Sequence, residues 1–223
     1  DLSYSIPGKT RFRVNVFSQR GTYAIVLRVI PEGIPTIEQL GLPDELHNVS
    51  RLKNGIVLVT GPTGSGKSTT LAAIINKINH EHAYHIITIE DPIEFMHKDK
   101  KSIVSQRELG MDTTNYIEAL RHVVRQDPDV ILMGEMRDLE SIGAALTIAE
   151  TGHLVFGTLH TNDASQSIDR IVDVFPSHQQ PQIRSQLANV LFGILSLRLL
   201  PKAGGGRIPA YEIMITNHAV KNV

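Results

Sequence analysis

The fold of this chain is decided by the stretch Gly61-Pro62-Thr63-Gly64-Ser65-Gly66-Lys67-Ser68-Thr69. It lies between the apolar run of residues 56–59 and a helix-like segment at residues 70–79. Strand, glycine-rich turn and helix in this order are typical of a P-loop, because the glycines let successive amides face one anion and the helix start adds partial positive charge. We therefore expect residues 61–69 to bind a nucleotide, with Lys67 at the terminal phosphates and the Ser68 hydroxyl on Mg²⁺.

The composition is that of a globular protein without a strong charge bias. The chain has 223 residues, 41% of them hydrophobic, and a formal net charge of −1. A near-neutral chain lacks the overall positive charge of most nucleic-acid motors, which argues against that class and against a nucleic-acid partner. No apolar run is long enough to span a bilayer, so we expect a cytoplasmic protein that meets a membrane only through partners. The absence of cysteine excludes disulfides and cysteine-based zinc sites.

The hydrophobic pattern divides the chain near residue 33. Residues 1–30 alternate as strands do, and the proline- and glycine-containing segment 31–35 reads as a linker. We expect a β-rich N-terminal piece at residues 1–32, truncated because the chain begins within strand-like sequence, and a larger domain at 33–223. In the larger domain short apolar runs alternate with helical patterns, which predicts an α/β fold with a mostly parallel sheet. The expected strands are residues 56–59, 86–89, 130–133, 154–159 and 208–215, and a helix is expected over 177–200.

Polar residues follow several of these runs, where ligands bind in open α/β sheets. Glu135 comes after the run 130–133 and is placed as a Walker B acid that orients Mg²⁺. Glu90, Asp91 and Glu94 follow the run 86–89, and one of them can accept a proton from the attacking water, although spacing does not decide which.

Two histidines flank the run 154–159. His160 follows it, at the end where a γ-phosphate is expected, and His153 precedes it. A histidine beside a buried strand often serves the structure alone, and for His153 the structural and catalytic interpretations stay open. No set of His, Asp and Glu has the spacing of a permanent zinc site.

Four segments together resemble the secretion ATPases of type IV pili and type II secretion. They are the Walker A stretch quoted above, an Asp box at Ile89-Glu90-Asp91-Pro92-Ile93-Glu94-Phe95, a Walker B region at 125–138 and a His box at 151–162. Within the family the chain is most similar to the pilus-retraction branch. It lacks the four-cysteine motif that is common in assembly and secretion members, and residues 219–223 resemble the Ala-Ile-Arg-Asn-Leu segment of retraction ATPases.

The resemblance implies a RecA-like P-loop ATPase core, preceded by the β-rich tail of a PAS-like domain and lacking a C-terminal helical region after Val223. It implies a homohexameric ring at the pilus base, using ATP and Mg²⁺ and acting on an inner-membrane platform protein to power retraction in twitching motility. By position, Glu94 matches the general base and Glu135 the acid near Mg²⁺, while His153 and His160 match the box histidines. The matching arginines, which reach a nucleotide across a domain or subunit boundary, are Arg11, Arg13 and Arg28.

Three alternatives remain open at this point. A pilus-assembly or type II secretion motor would use the same chemistry and would carry an additional N-terminal domain. An accessory ATP-binding protein would act chiefly as a partner of another retraction motor. A RecA-like nucleic-acid motor is the third, and salt-dependent DNA binding would reveal it.

Overall fold

The first described residues form a three-stranded antiparallel sheet. The structure is a computed structural model and describes residues 2–6, 10–30 and 33–221. Its N-terminal strands are β1 (Leu2–Ile6), β2 (Thr10–Gln19) and β3 (Thr22–Ile30), in the order β1-β2-β3. The strand character predicted for residues 1–30 is thus confirmed over the described residues, whereas Pro31 and Glu32 of the predicted linker lie outside them.

This N-terminal sheet has little core of its own. Val14 and Ile30 are buried, but neither belongs to the two large apolar clusters of the molecule. Many of its other apolar side chains are exposed, among them Tyr23, Ile25 and Val29. The sheet is therefore held against the rest of the chain by few apolar contacts, and its polar contacts carry more weight.

The larger domain is built on a seven-stranded sheet in the order β10-β9-β4-β8-β7-β5-β6. All neighbouring strands run parallel except β10, which pairs antiparallel with β9. The predicted α/β fold with a mostly parallel sheet is confirmed. The strands are β4 (Gly55–Thr60), β5 (His85–Glu90), β6 (Ile103–Glu108), β7 (Val130–Met133), β8 (Leu154–Leu159), β9 (Leu191–Pro201) and β10 (Arg207–Ile215).

Helices cover both faces of this sheet. One apolar cluster packs α2 and the chain before β4 against one face of the sheet. A second cluster packs the helices α3, α4, α5 and α6 against the other face. Local signals fix the helix starts: the Asn115 side chain caps α3, and Asp138 and Ser141 form a capping box on α4. The helices are α1 (Leu46–Val49), α2 (Lys67–Glu81), α3 (Tyr116–Val123), α4 (Leu139–Glu150), α5 (Ala164–Asp173), α6 (Gln180–Val190) and α7 (His218–Lys221), with a 3₁₀ turn at Val124–Gln126.

The helix predicted over residues 177–200 is wrong in its second half. Only α6 is helical there, and the chain passes at Leu191 directly into β9, which lies between β4 and β10. Residues 191–197 are almost continuously buried, and a short apolar run of this kind suits a buried strand as well as a helix. Strand pairing decides the outcome, because backbone groups buried between two neighbouring strands must be hydrogen-bonded to them. Strand β6 was not predicted at all.

Within the described residues, none of the helices combines the length and the apolar character needed to cross a lipid bilayer.

Candidate nucleotide site

The predicted P-loop connects β4 to α2 at the carboxyl end of the parallel sheet. β4 ends at Thr60 and α2 begins at Lys67, so residues 61–66 form the loop. Gly61 has φ 139°, and a Cβ at this position would lie 2.3 Å from the carbonyl oxygen of Leu197 in β9. The loop can therefore lie this close to β9 only with glycine at its first position. The loop leads directly into a 15-residue helix, and the first turn of a helix has amides without helical partners that can bind an anion.

Lys67 lies within this loop rather than in solvent. Its Nζ donates to the carbonyl oxygens of Gly61 at 2.7 Å and Pro62 at 3.2 Å. Burial lowers the pKa of Lys67, and the nearby charges of Glu135 and Glu94 act in the opposite direction. The structure thus brings both predicted acids within electrostatic reach of the P-loop lysine.

His160 connects Lys67 to Glu135. The imidazole Nδ1 lies 3.4 Å from Lys67 Nζ, and Nε2 lies 3.3 Å from Glu135 Oε1. Because the ammonium can only donate, the partners favour the tautomer in which Nδ1 accepts from Lys67 and Nε2–H donates to Glu135. The Lys67 ammonium, the His160 imidazole and the Glu135 carboxylate thus form a continuous series of polar contacts beside the P-loop.

Glu135 is held in its ionised form by a second partner. Its Oε2 lies 2.8 Å from Arg137 Nη2. Burial acts to raise the pKa of Glu135, but the hydrogen bond and charge of Arg137, together with His160, outweigh it and lower that pKa. An ionised carboxylate two residues beyond β7 suits the hydrated cation expected of a Walker B acid.

The three acids after β5 differ in their surroundings. Thr88 Oγ1 donates to Glu90 Oε1 at 2.6 Å, and Gln106 Nε2 donates to the same oxygen at 3.1 Å. Burial raises the pKa of Glu90, and these hydrogen bonds act against the shift. Glu94 is exposed and acts electrostatically on Lys67, while Asp91 acts on Arg137. Of the three, Glu94 has the surroundings that suit a base acting on water near the lysine.

The donors needed for Mg²⁺ are few but suitable. Among the described residues there is no group of three or more acidic or histidine side chains that could hold a metal alone. Mg²⁺ commonly takes only one or two protein ligands and completes its shell with phosphate oxygens and water. Ser68 lines a small cavity of about 40 Å³ with Glu90, Gly134 and Thr158. The hydroxyl of Ser68 and the carboxylate of Glu135 are oxygen donors of the kind that Mg²⁺ takes, and their joint contact with the ion stays a prediction.

His153 lies away from these residues. It precedes β8, whereas His160 follows the same strand, so the two histidines lie at opposite ends of it. His153 Nδ1 lies 3.0 Å from the carbonyl oxygen of Ile148 and 3.1 Å from Thr151 Oγ1. The structure does not bring His153 to the P-loop of its own chain, and there it fixes the turn between α4 and β8.

The predicted arginines belong to the N-terminal sheet. Arg13 and Arg28 are directly opposite each other on β2 and β3, and Arg11 lies two residues from Arg13 on the same face. Arg11 Nη2 lies 2.7 Å from Glu108 Oε2, at the end of β6. Contacts of these arginines with a nucleotide bound by another subunit stay a prediction.

Sequence reasoning missed three polar residues around the site. The sequence does indicate a contact between Arg137 and Glu135, because residues two apart in extended backbone share a face and Arg137 follows Glu135 at that spacing. No local sequence pattern indicates Gln106 and Glu108, because they lie on the unpredicted strand β6 and come near the site only through the pairing of β6 with β5.

Comparison with known proteins gives the family and the fold of this chain. Residues 1–208 match the family described as "Type II/IV secretion system protein". The chain is 54% identical over 223 residues to "Type IV pilus retractation ATPase PilT" of Pseudomonas aeruginosa, covering 100% of this chain and 65% of that protein. It is 52% identical over 224 residues to "Twitching motility protein" of Neisseria gonorrhoeae, covering 100% of this chain and 60% of that protein.

A solved structure is similar over the whole chain. It is described as "Crystal Structure of the Pilus Retraction Motor PilT and Bound ADP", with a TM-score of 0.97, 58% identity and coverage of 100% of this chain and 65% of that chain. The present chain thus spans less than two thirds of the length of these two relatives and of this solved chain. The family and fold predicted from the four motif segments are confirmed: the chain belongs to the type II/IV secretion system protein family.

Proposed function

We propose that this chain contains the ATP-hydrolysing core of a motor that powers type IV pilus retraction. The observation that carries the proposal is the arrangement of four groups from neighbouring strands around the P-loop: Lys67 after β4, His160 after β8, Glu135 after β7 and Glu94 after β5. Similarity to relatives described as a pilus-retraction ATPase and a twitching-motility protein supports the biological role.

In this proposal each residue has a separate task. The amides of residues 61–69 and the Lys67 ammonium balance the negative charge of the phosphates, and Glu94 accepts a proton from the water that attacks the γ-phosphorus. Ser68 and Glu135 hold Mg²⁺, which when bound neutralises charge on the β- and γ-phosphate oxygens. His160 keeps Lys67 and Glu135 in a fixed relation through its two ring nitrogens.

The family and the position of the arginines support a proposal about the larger assembly. We propose a homohexameric ring at the pilus base, cytoplasmic and peripheral to the inner membrane, that acts on a platform protein. Residues 1–32 then belong to an N-terminal PAS-like domain and residues 33–223 to the ATPase domain. Arg11, Arg13 and Arg28 complete the nucleotide site of a neighbouring subunit. In systems that use an arginine in trans, it raises kcat by roughly three to five orders of magnitude. For His153, the catalytic role of a box histidine stays a prediction beside the structural contacts that it makes in its own chain.

The test is the steady-state rate of phosphate release as a function of protein concentration, with Mg²⁺, for this chain and for Glu94→Gln. Specific activity that rises with concentration and disappears in Glu94→Gln supports an oligomeric motor whose sites are completed by a neighbouring chain. A rate independent of concentration contradicts that assembly, and turnover retained in Glu94→Gln contradicts the proposed base.

The biological role needs the full-length protein in a cell that makes type IV pili. A strain without its retraction ATPase should regain twitching when supplied with the wild-type protein and should not regain it with Glu94→Gln. Restored pilus assembly without restored retraction would favour the assembly or secretion motor instead.

A further inference from the structure

Glu108 is a buried carboxylate that the proposed chemistry does not use. It ends β6 and is directly opposite Glu90 in the pairing of β5 with β6. Its side chain is only 2% exposed. Its backbone is fixed as well, because its N–H donates to Asp112 Oδ2 at 2.8 Å and its carbonyl oxygen accepts from the amide of Asp112 at 2.9 Å. A buried carboxylate is costly unless several donors satisfy it, so its partners matter.

Two of these donors come from the N-terminal sheet. Ser3 Oγ of β1 lies 2.6 and 2.8 Å from the two oxygens of Glu108, and Arg11 Nη2 of β2 lies 2.7 Å from Oε2. Residues of this sheet take no part in the two large apolar clusters. The contacts of Glu108 therefore attach the sheet to the larger domain through hydrogen bonds and an ion pair.

The third donor comes from the turn that carries the proposed base. The amide of Ile93 donates to Glu108 Oε2 at 3.1 Å, and Ile93 directly precedes Glu94. Arg11 also approaches this turn, because its Nη1 lies 3.6 Å from Met96 Sδ. One carboxylate oxygen thus accepts from both the N-terminal sheet and the backbone beside Glu94.

We propose that Glu108 is a positioning residue that couples the N-terminal sheet to the turn carrying Glu94. A shift of β1 and β2 moves the Ser3 and Arg11 donors relative to the Glu108 carboxylate. The carboxylate then moves as well, and its hydrogen bond from the amide of Ile93 changes. Glu108 also keeps Arg11 beside the turn of its own chain, because Arg11 Nη2 pairs with Glu108 and Nη1 lies beside Met96. The effect on turnover rests on the proposed ATPase function, whereas the structural coupling does not.

The direct test measures hydrogen exchange at the Ile93 amide in this chain. Ser3→Ala removes one donor to Glu108 without touching Ile93, and Ser5→Ala is the matched control, an exposed serine two residues along the same face of β1. We expect exchange at Ile93 to rise about threefold or more in Ser3→Ala, and also in Arg11→Met, and to stay unchanged in Ser5→Ala.

A double-variant comparison separates coupling from simple anchoring. Glu108→Gln keeps an oxygen acceptor but loses the charge, so we expect faster exchange at Ile93, and adding Ser3→Ala to it should produce no further rise. If Ser3→Ala and Arg11→Met leave Ile93 unchanged while Glu108→Gln accelerates its exchange, Glu108 only anchors the turn and the coupling is refuted. A melting curve for each variant shows whether a change is local, because global destabilisation would accelerate exchange at core amides as well.

Steady-state kinetics add a readout that a purely structural residue would not produce. We expect Ser3→Ala to lower kcat several-fold with little change in KM for ATP, because the position of Glu94 matters to the chemical step and not to phosphate binding. Equal changes in kcat for Ser3→Ala and Ser5→Ala would contradict the proposal. A wild-type chain without turnover would contradict the proposed function but would leave the exchange comparison decisive for the coupling.

Discussion

Lys67 Nζ lies 2.7 Å from the carbonyl oxygen of Gly61, so the P-loop lysine is hydrogen-bonded to the first residue of its own loop. The same nitrogen lies 3.4 Å from Nδ1 of His160, which directly follows the neighbouring strand β8. The lysine therefore joins the loop to the group that contacts Glu135. Its removal affects both the charge offered to phosphate and the arrangement of the acids around it.

Replacing Lys67 with alanine should abolish ATP turnover, with a loss of at least about 100-fold, because the loop loses the cation proposed to balance the phosphate charge. Phosphate release and the affinity for a fluorescent ATP analogue measure the two effects separately. Lys77→Ala is the matched control, since Lys77 lies on the same helix and pairs with Glu81. Turnover retained in Lys67→Ala, or lost equally in Lys77→Ala, would exclude the assigned role.

Replacing Glu94 with glutamine should lower kcat by about 100-fold or more and leave ATP binding nearly unchanged, because the amide cannot accept the proton of the attacking water. Single-turnover hydrolysis together with equilibrium binding distinguishes the two steps. Glu140→Gln, an exposed acid in the first turn of α4, serves as control. A similar loss in ATP affinity would indicate that Glu94 acts in binding rather than in the chemical step.

His97 should make the fold sensitive to mild acid. Burial, with a smaller effect from Lys100, lowers the pKa of His97 from 6.5 to about 4. Because the unfolded chain binds this proton more readily, stability present above pH 6.5 is lost as the pH falls towards 4, by about 3 kcal/mol at most.

Urea unfolding at several pH values measures this dependence for wild type and for His97→Gln. The variant should show a flatter fall in unfolding free energy between pH 6.5 and 4. His178→Gln, at an exposed histidine, should leave the wild-type slope in place. An unchanged slope in His97→Gln would show that other groups cause the acid sensitivity.

Replacing Gly193 with alanine should destabilise the chain by about 1–3 kcal/mol. A Cβ at this position would lie 2.6 Å from the carbonyl oxygen of Met214, and the paired backbones of β9 and β10 would have to move apart. Gly204→Ala is the control, because no atom lies within 4 Å of its added Cβ. Equal melting temperatures for the two variants would mean that the strands absorb the methyl group without cost.

Much of the candidate site could be predicted because its parts follow short apolar runs. The carboxyl ends of parallel strands meet at one edge, so Lys67, Glu94, Glu135 and His160 could be placed together from sequence order alone. The same reasoning separates His153 from them, because it precedes its strand. Sequence similarity placed all five in motifs but did not say which of them meet at the P-loop.

Other features depend on interactions that local sequence does not encode. Whether Glu90 or Glu94 faces the lysine is decided by Thr88 and Gln106, and Gln106 reaches Glu90 only through the pairing of β5 with β6. The start of β9 is decided in the same way, by neighbouring strands that satisfy its backbone. The strand preference of individual residues predicts a strand poorly where its hydrogen-bond partners come from strands that are distant in sequence.

The direct passage from α6 to β9 limits where the chain can be modified. Side chains alternate between the two faces of a strand, so one residue inserted at the junction would turn the following side chains of β9 to the opposite face and away from their present neighbours. The turn between β9 and β10 is more open, because nothing lies within 4 Å of a Cβ added at Gly204, Gly205 or Gly206, although the positive φ of Gly205 and Gly206 favours glycine there. Epitope tags, fluorophores and engineered protease sites therefore belong in that turn, about as far along β9 from the junction as the strand allows.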